Sequence, residues 1–255
     1  MAAIEDAPRL SLPRRVGRRL RPIGLDVPLG RLYDTAPSRS ELARMREYRH
    51  AVGLWRHLRA GGYTMIDSRR ARALSRLARA CEEEGVAGAL LDCGCFNGGS
   101  TVMMAAGAPS RDAWAFDSFE GLPAPGPHDP ERAHDWTGRL VASEEKVREA
   151  FRRFAPSTPL HVVKGWFRDS FLVALPQIDT VGLLHVDGDW YESVKLTLET
   201  FEPRVQAGGF VVIDDYGAWE GARAATDEYR SAQAITTPLV EIDRTATYWR
   251  KPVAA

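Results

Sequence analysis

The stretch Ala89-Leu90-Leu91-Asp92-Cys93-Gly94-Cys95-Phe96-Asn97-Gly98-Gly99-Ser100 decides the fold. Five residues, mostly apolar, read as a short buried strand. Gly94 and the Gly98-Gly99 pair then break the run, and a helix is expected to start near Ser100. Glycines let backbone approach a ligand closely, and the helix N-terminus adds donors and a positive dipole. The spacing is G-x-x-x-G-G with an acid two residues ahead, not the G-x-G-x-x-G of dinucleotide-binding turns. Asp92 suits the cationic amino group of a methionyl moiety better than a pyrophosphate.

The same rhythm continues outward. Ala113 to Asp117, Leu160 to Lys164, Thr180 to Asp187 and Gly209 to Asp214 read as further strands. Helices are expected from Ser143 to about Phe154, Tyr191 to Phe201 and Trp219 to Ser231. Leu239 to Ile242 and Ala246 to Arg250 flank a short turn and read as a hairpin. Upstream, a helical pattern runs through Leu42, Met45, Val52, Trp55 and Leu58 and stops at Gly61-Gly62. A second helix is capped by Asp67 or Ser68 and carries Ala71, Leu74, Leu77, Ala78 and Cys81 on its apolar face. Strands alternating with helices mean an α/β protein, with a parallel sheet covered on both faces. A closing hairpin makes this the layout of the class I, Rossmann-like S-adenosylmethionine-dependent methyltransferases. The expected sheet has seven strands and is mostly parallel. The expected division is residues 1–62, an N-terminal arm and helical extension, and residues 63–255, the methyltransferase domain.

The chain has 255 residues, of which 44% are hydrophobic and 27% charged, enough to build a core. Lys plus Arg is 34 and Asp plus Glu is 34, so the formal net charge is +0. A general nucleic-acid binder needs a basic excess, so no nucleic-acid partner is expected. No run approaches the roughly 20 apolar residues of a membrane span, and the N-terminus lacks the apolar run of a secretory signal. It is instead Arg-rich, from Arg9 to Arg31, and reads as a flexible or surface-packed arm whose expected role is to pack in a homo-oligomer or to touch an acidic acceptor. Cys81, Cys93 and Cys95 form no disulfide framework and read as reduced thiols of a cytoplasmic protein.

In an open α/β sheet, ligands bind beyond the carboxyl ends of the strands. Asp117 ends the second strand and is placed to accept hydrogen bonds from ribose hydroxyls, with Ser118 assisting. Asp187-Gly188-Asp189 ends the fourth strand and Asp214-Asp215 the fifth. Those strands are expected to be neighbours, so four carboxylates crowd one rim. Their repulsion raises pKa values unless a hard divalent cation with oxygen ligands offsets it. His185 shares a strand face with Asp187 and reads as a structural histidine. Pro123 to Asp135 is a loop, and with Tyr63 to Ile66 it is expected to cover the site. His128 and His134 in that loop read as solvated.

At these residues the sequence resembles the macrocin O-methyltransferase family. The matching segments are Tyr63-Thr64-Met65-Ile66, Leu91 to Ser100, Asp117 to Pro123, Gly165-Trp166-Phe167, Asp187 to Ser193, Asp214-Asp215-Tyr216 and Tyr248-Trp249. The resemblance implies a Mg²⁺-dependent, S-adenosylmethionine-dependent enzyme that methylates a sugar hydroxyl in antibiotic biosynthesis. The acceptor would be a glycosylated natural product or a nucleotide sugar. It implies Asp187, Asp214 and Asp215 as metal ligands and Asp189 as general base. The candidate cofactor-binding set is Thr64, Met65, Asp92, Gly94, Ser100, Asp117, Ser118, Trp166 and Phe167. Trp166, Phe167, Trp190 and Tyr191 line a pocket or belong to the core. The methionyl-site loop departs from the family at Cys93, Cys95 and Asn97, while the acid, the glycines and Phe96 fit. The rival readings are a Mg²⁺-dependent methyltransferase of catechol-like phenols, a nucleotide-dependent oxidoreductase, and a non-catalytic protein that kept the fold.

Overall fold

The computed structural model describes residues 39–253. The Arg-rich arm lies outside the described residues. The chain divides into two units, residues 1–49 and residues 50–255. Of the first, only the start of helix α1 (Arg39–Ala60) is described. The second unit begins inside that helix, at His50. Leu58 is fully buried, and the Trp55 indole N–H donates to the Ile66 carbonyl at 3.0 Å, so the end of α1 packs with the rest of the second unit.

The second unit continues through α2 (Ser68–Glu83), β1 (Ala89–Cys93), α3 (Gly99–Gly107), β2 (Ala113–Asp117), α4 (Glu144–Phe154), β3 (Leu160–Lys164), α5 (Phe167–Ala174), β4 (Val181–Val186), α6 (Tyr191–Phe201), β5 (Val205–Ile213), α7 (Glu220–Ala232), β6 (Val240–Glu241) and β7 (Thr247–Arg250). Asp67 caps α2, accepting from the N–H groups of Arg69 at 2.7 Å and Arg70 at 2.9 Å. Ser143 caps α4.

The seven strands form one sheet in the order β3-β2-β1-β4-β5-β7-β6. β7 pairs antiparallel with both β5 and β6; all the other pairs are parallel. The strand-order reversal falls between β1 and β4, where ligand crevices form. Successive strand residues face opposite sides, as the two-residue period requires. Leu90, Ala113, Ala115, Phe210 and Val212 join a core with α2, α3 and α4. Leu91, Trp114, Phe116, Val211 and Ile213 join a second core with α5, α6 and α7. The sheet is therefore covered on both faces.

Besides two three-residue 3₁₀ turns, Leu175–Gln177 and Glu202–Arg204, two elements were not foreseen. Helix α5 is one; it spans eight residues, and exposed Leu172 and Val173 blur its apolar stripe. The other is a 3₁₀ helix, Glu131–Trp136, inside the proline-rich loop. β5 also starts earlier than expected, at Val205, and carries an irregularity in its pairing with β4. No helix among the described residues is long and apolar enough to cross a membrane.

Candidate active site

The carboxyl ends of β1, β2, β4 and β5 open on a cavity of about 300 Å³. Its wall includes Gly94, Asp117, Trp166, Asp187, Asp189 and Asp215, all foreseen. Thr64, Met65, Ser100, Ser118 and Phe167 also line it. Gly94 is the tightest point. Its φ is +101°, and a Cβ there would lie 1.8 Å from the Asp187 carbonyl oxygen. Only glycine lets β1 run this close to β4 before the chain turns into α3.

Asp117 keeps its carboxylate at the cavity because the backbone holds it there. Its Oδ2 accepts from the Phe96 N–H at 2.9 Å and its Oδ1 from the Phe119 N–H at 2.8 Å. Burial raises its pKa, against the pull of those two donors. Phe96 and Phe119 both have positive φ, 50° and 59°, so the two loops that present these donors are strained. Ser118 is turned to its own loop, donating to the Gly121 carbonyl and accepting from the Glu120 N–H. Asn97 ties the loop between β1 and α3 down. It donates to the Gly62 carbonyl and accepts from the Ser143 N–H, both at 2.9 Å.

Asp92 sits elsewhere than expected. It is fully buried and does not line the cavity. Its Oδ2 accepts from Ser100 Oγ at 2.7 Å and Thr101 Oγ1 at 2.5 Å, and its Oδ1 meets His185 Nδ1 at 2.8 Å. The carboxylate braces the start of α3 from behind rather than facing the cavity. His185 reaches from Asp92 to Asp214, with Nε2 3.0 Å from Asp214 Oδ1. Burial alone would lower its pKa, but hydrogen bonds to Asp214 and Asp92 and their charges outweigh it and push it up to about 9. The histidine is structural, as expected, and it is a cation bonded at both nitrogens.

The acid rim is the electrostatic centre of the cavity. Oxygens of Asp187, Asp189 and Asp215 all lie within 4.8 Å of one another. A second group joins Asp187 and Asp214 to His185. The expected ligand trio of Asp187, Asp214 and Asp215 is thus split between two groups that share Asp187. The reason is that Asp214 turns toward two cations, His185 and Arg70. Burial first, then neighbouring carboxylates, hold the Asp187 and Asp215 carboxyls well above the usual range. Burial and the Asp214 charge push Asp189 up to about 7, while a hydrogen bond from the Trp219 indole pulls it back. Asp189 has φ +55°, and the Trp190 N–H donates to the Gly188 carbonyl at 2.6 Å across it, a tight γ-turn. The backbone thus thrusts Asp189 into the cavity at the expense of strain.

The loop after Asp117 covers one side of the cavity and is stapled in place. The Trp190 indole donates to the Pro123 carbonyl at 2.8 Å. Asp129 accepts from the Tyr191 N–H at 2.9 Å and the Gly126 N–H at 2.8 Å. Arg132 forks onto Glu220 at 2.9 and 2.7 Å. The loop leaves Leu122, Pro123, Trp136 and Leu140 on the cavity wall, with Trp136 against Trp219. His128 is exposed and stacks on Tyr191 outside the cavity, and His134 is exposed as well, as their solvated reading required. Trp190 is buried beneath the loop and does not line the cavity.

The model of the TylF macrocin O-methyltransferase family matches residues 33–251. The chain belongs to that family. It is 36% identical over 206 residues to the 8-demethyl-8-(2,3-dimethoxy-alpha-L-rhamnosyl)-tetracenomycin-C 4'-O-methyltransferase of Streptomyces olivaceus, covering 76% of this chain and 77% of that protein. It is 34% identical over 203 residues to the demethyldecarbamoylnovobiocin O-methyltransferase of Streptomyces niveus, covering 75% and 77%. The solved structure of the O-methyltransferase NovP superposes with a TM-score of 0.68 at 32% identity, covering 74% of this chain and 82% of that one. As a macrocin O-methyltransferase family member the chain is an O-methyltransferase. Two cavity residues beside the acid rim had no sequence signal read for them. Arg70 is one, masked by the run of arginines around it, and Trp219 is the other, read only as a helix start.

Proposed function

We propose that this macrocin O-methyltransferase family member transfers a methyl group from S-adenosylmethionine to a sugar hydroxyl of a glycosylated natural product, with a divalent cation, Mg²⁺, at the acid rim. The observation that carries the reading is the pairing of that rim with an apolar wall in one cavity. Asp187, Asp214 and Asp215 would hold the cation. The donor set fits: all its atoms are hard carboxylate oxygens, and the raised pKa values record burial first and then mutual repulsion, both of which a divalent charge would offset. Asp214 remains a usable ligand, because a carboxylate offers about four lone-pair sites and its bonds to Arg70 and His185 occupy only two.

When bound, the cofactor supplies the methyl group and the cation supplies a charge that lowers the pKa of an acceptor hydroxyl. Asp189 takes the hydroxyl proton on its carboxylate, and the Trp219 indole N–H fixes that carboxylate's direction. Asp117 accepts from the ribose hydroxyls of the cofactor. Gly94, Thr64, Met65, Ser100, Ser118, Trp166 and Phe167 shape the remaining cofactor wall. Asp92 acts through Ser100 and Thr101, holding α3 where its N-terminus meets the cofactor. Leu122, Pro123, Trp136 and Leu140 exclude water over the acceptor and offer an apolar aglycone its contact surface.

The test is a panel of deoxysugar glycosides and catechols offered with S-adenosylmethionine and Mg²⁺, read by tandem mass spectrometry. A gain of one methyl group on the sugar fragment is expected. Methylation confined to the catechols would replace the reading by its phenolic rival.

A further inference from the structure

Arg70 is a buried guanidinium on the first turn of α2, 9% exposed, and it lines the cavity beside the acid rim. Its donors are almost fully committed. Nε donates to Asp243 Oδ2 at 3.1 Å and Nη2 to Asp243 Oδ1 at 2.9 Å, a two-pronged pairing. Nη2 also meets Thr245 Oγ1, and Nη1 meets Asp214 Oδ2. Asp243 is itself fixed, since its Oδ1 accepts from the N–H groups of Thr245 and Ala246, both at 2.9 Å. The turn of the β6–β7 hairpin thus grips the guanidinium, and one remaining edge is presented to Asp214. Asp214, as placed here, has a permanent positive charge on one oxygen and His185 on the other.

A cation this firmly held has a consequence for any ion that joins it. It neutralises part of the acid rim before a divalent ion arrives, so the rim holds its shape without one. It also shares Asp214 with the incoming ion and repels it. We infer that Arg70 is a resident counter-cation of the rim: it stands at Asp214 when no divalent ion is bound and weakens divalent-ion binding when one is. This rests on the reading that the rim holds a divalent cation. The ion would then exchange readily instead of being a permanent part of the fold.

The experiment compares the wild-type chain with Arg70→Met and Arg70→Lys, titrating Mn²⁺ by electron paramagnetic resonance and Mg²⁺ by calorimetry. Methionine keeps the apolar stem and removes the charge; lysine keeps the charge and loses the fork. At an effective dielectric near 20, a unit charge a few ångströms from a divalent ion is worth more than the roughly 1.4 kcal/mol that a tenfold change in affinity represents. Arg70→Met is therefore expected to bind Mn²⁺ about tenfold tighter or more, with Arg70→Lys within about threefold of wild type. An unchanged or weaker Kd in Arg70→Met overturns the inference, and so does equal tightening in Arg70→Lys. If Arg70→Met does not fold, Arg70→Gln takes its place with the same expectation. Failure of wild type and variants alike to bind either ion sinks the cation reading and the inference with it, whereas wild-type binding without tightening sinks the inference alone.

Discussion

Replacing Asp189 by asparagine should stabilise the metal-free protein, and more so as the pH rises. In the folded chain this carboxyl keeps its proton up to about pH 7, while its ordinary value is 3.8. Between those values the folded state binds more protons than the unfolded one, so stability falls as pH rises. From pH 5 to pH 8 this single carboxyl removes about 2–3 kcal/mol. In a protein of this size that is about 5–10 °C in Tm. Asparagine cannot ionise and tolerates the positive φ of +55° at this position, so the variant escapes the loss without adding strain. His185, raised to about 9, contributes stability that is full below 6.5 and is lost as pH rises through 9. That slope is common to both proteins and cancels in their difference. The assay is thermal unfolding by circular dichroism in EDTA at pH 5 and pH 8. The Tm advantage of Asp189→Asn should widen by about 5–10 °C between the two. An advantage of equal size at both pH values would refute the claim that a strained backbone holds Asp189 in a charge-crowded, desolvated position.

With substrate present the same Asp189→Asn variant should lose turnover by about 10²–10⁴, while calorimetry gives nearly unchanged affinity for S-adenosylhomocysteine. Trp219→Phe keeps a ring against Trp190 but removes the indole donor; kcat should fall about tenfold with Tm little changed, and a wild-type kcat would remove Trp219 from the positioning of the base. Gly94→Ala should give little folded protein, because its Cβ meets a backbone carbonyl oxygen at 1.8 Å. Gly85→Ala, also at positive φ but in open space, should cost only about 1 kcal/mol by urea unfolding, which separates collision from backbone strain.

Alternating strand and helix signals placed all seven strands, because buried parallel strands are short apolar runs bounded by glycine and acids. They missed α5, where Leu172 and Val173 face solvent and spoil the helical period. The acids of the rim were legible because strand ends are where a polar residue meets a ligand. What pairs with each acid was not. Asp92 and Asp214 are 122 positions apart, and the three-dimensional register of β1, β4 and β5 puts His185 between them. Arg70 reaches Asp243 across 173 positions, a contact no local spacing encodes. Gly94 was read as a ligand-approach glycine, and its nearest constraint is the neighbouring strand. The loop from Pro123 was read as a cover, and the structure adds the staples through Trp190, Asp129 and Arg132 that hold it down.

The claim at the centre is that methyl transfer runs through a divalent cation on the acid rim. It is tested most directly by initial rates of the purified protein on an accepted glycoside, first in excess EDTA and then after Mg²⁺ is restored. Turnover should fall to background in EDTA and return with Mg²⁺ in the wild type, and it should not return in Asp215→Asn. Full turnover in EDTA would contradict the account.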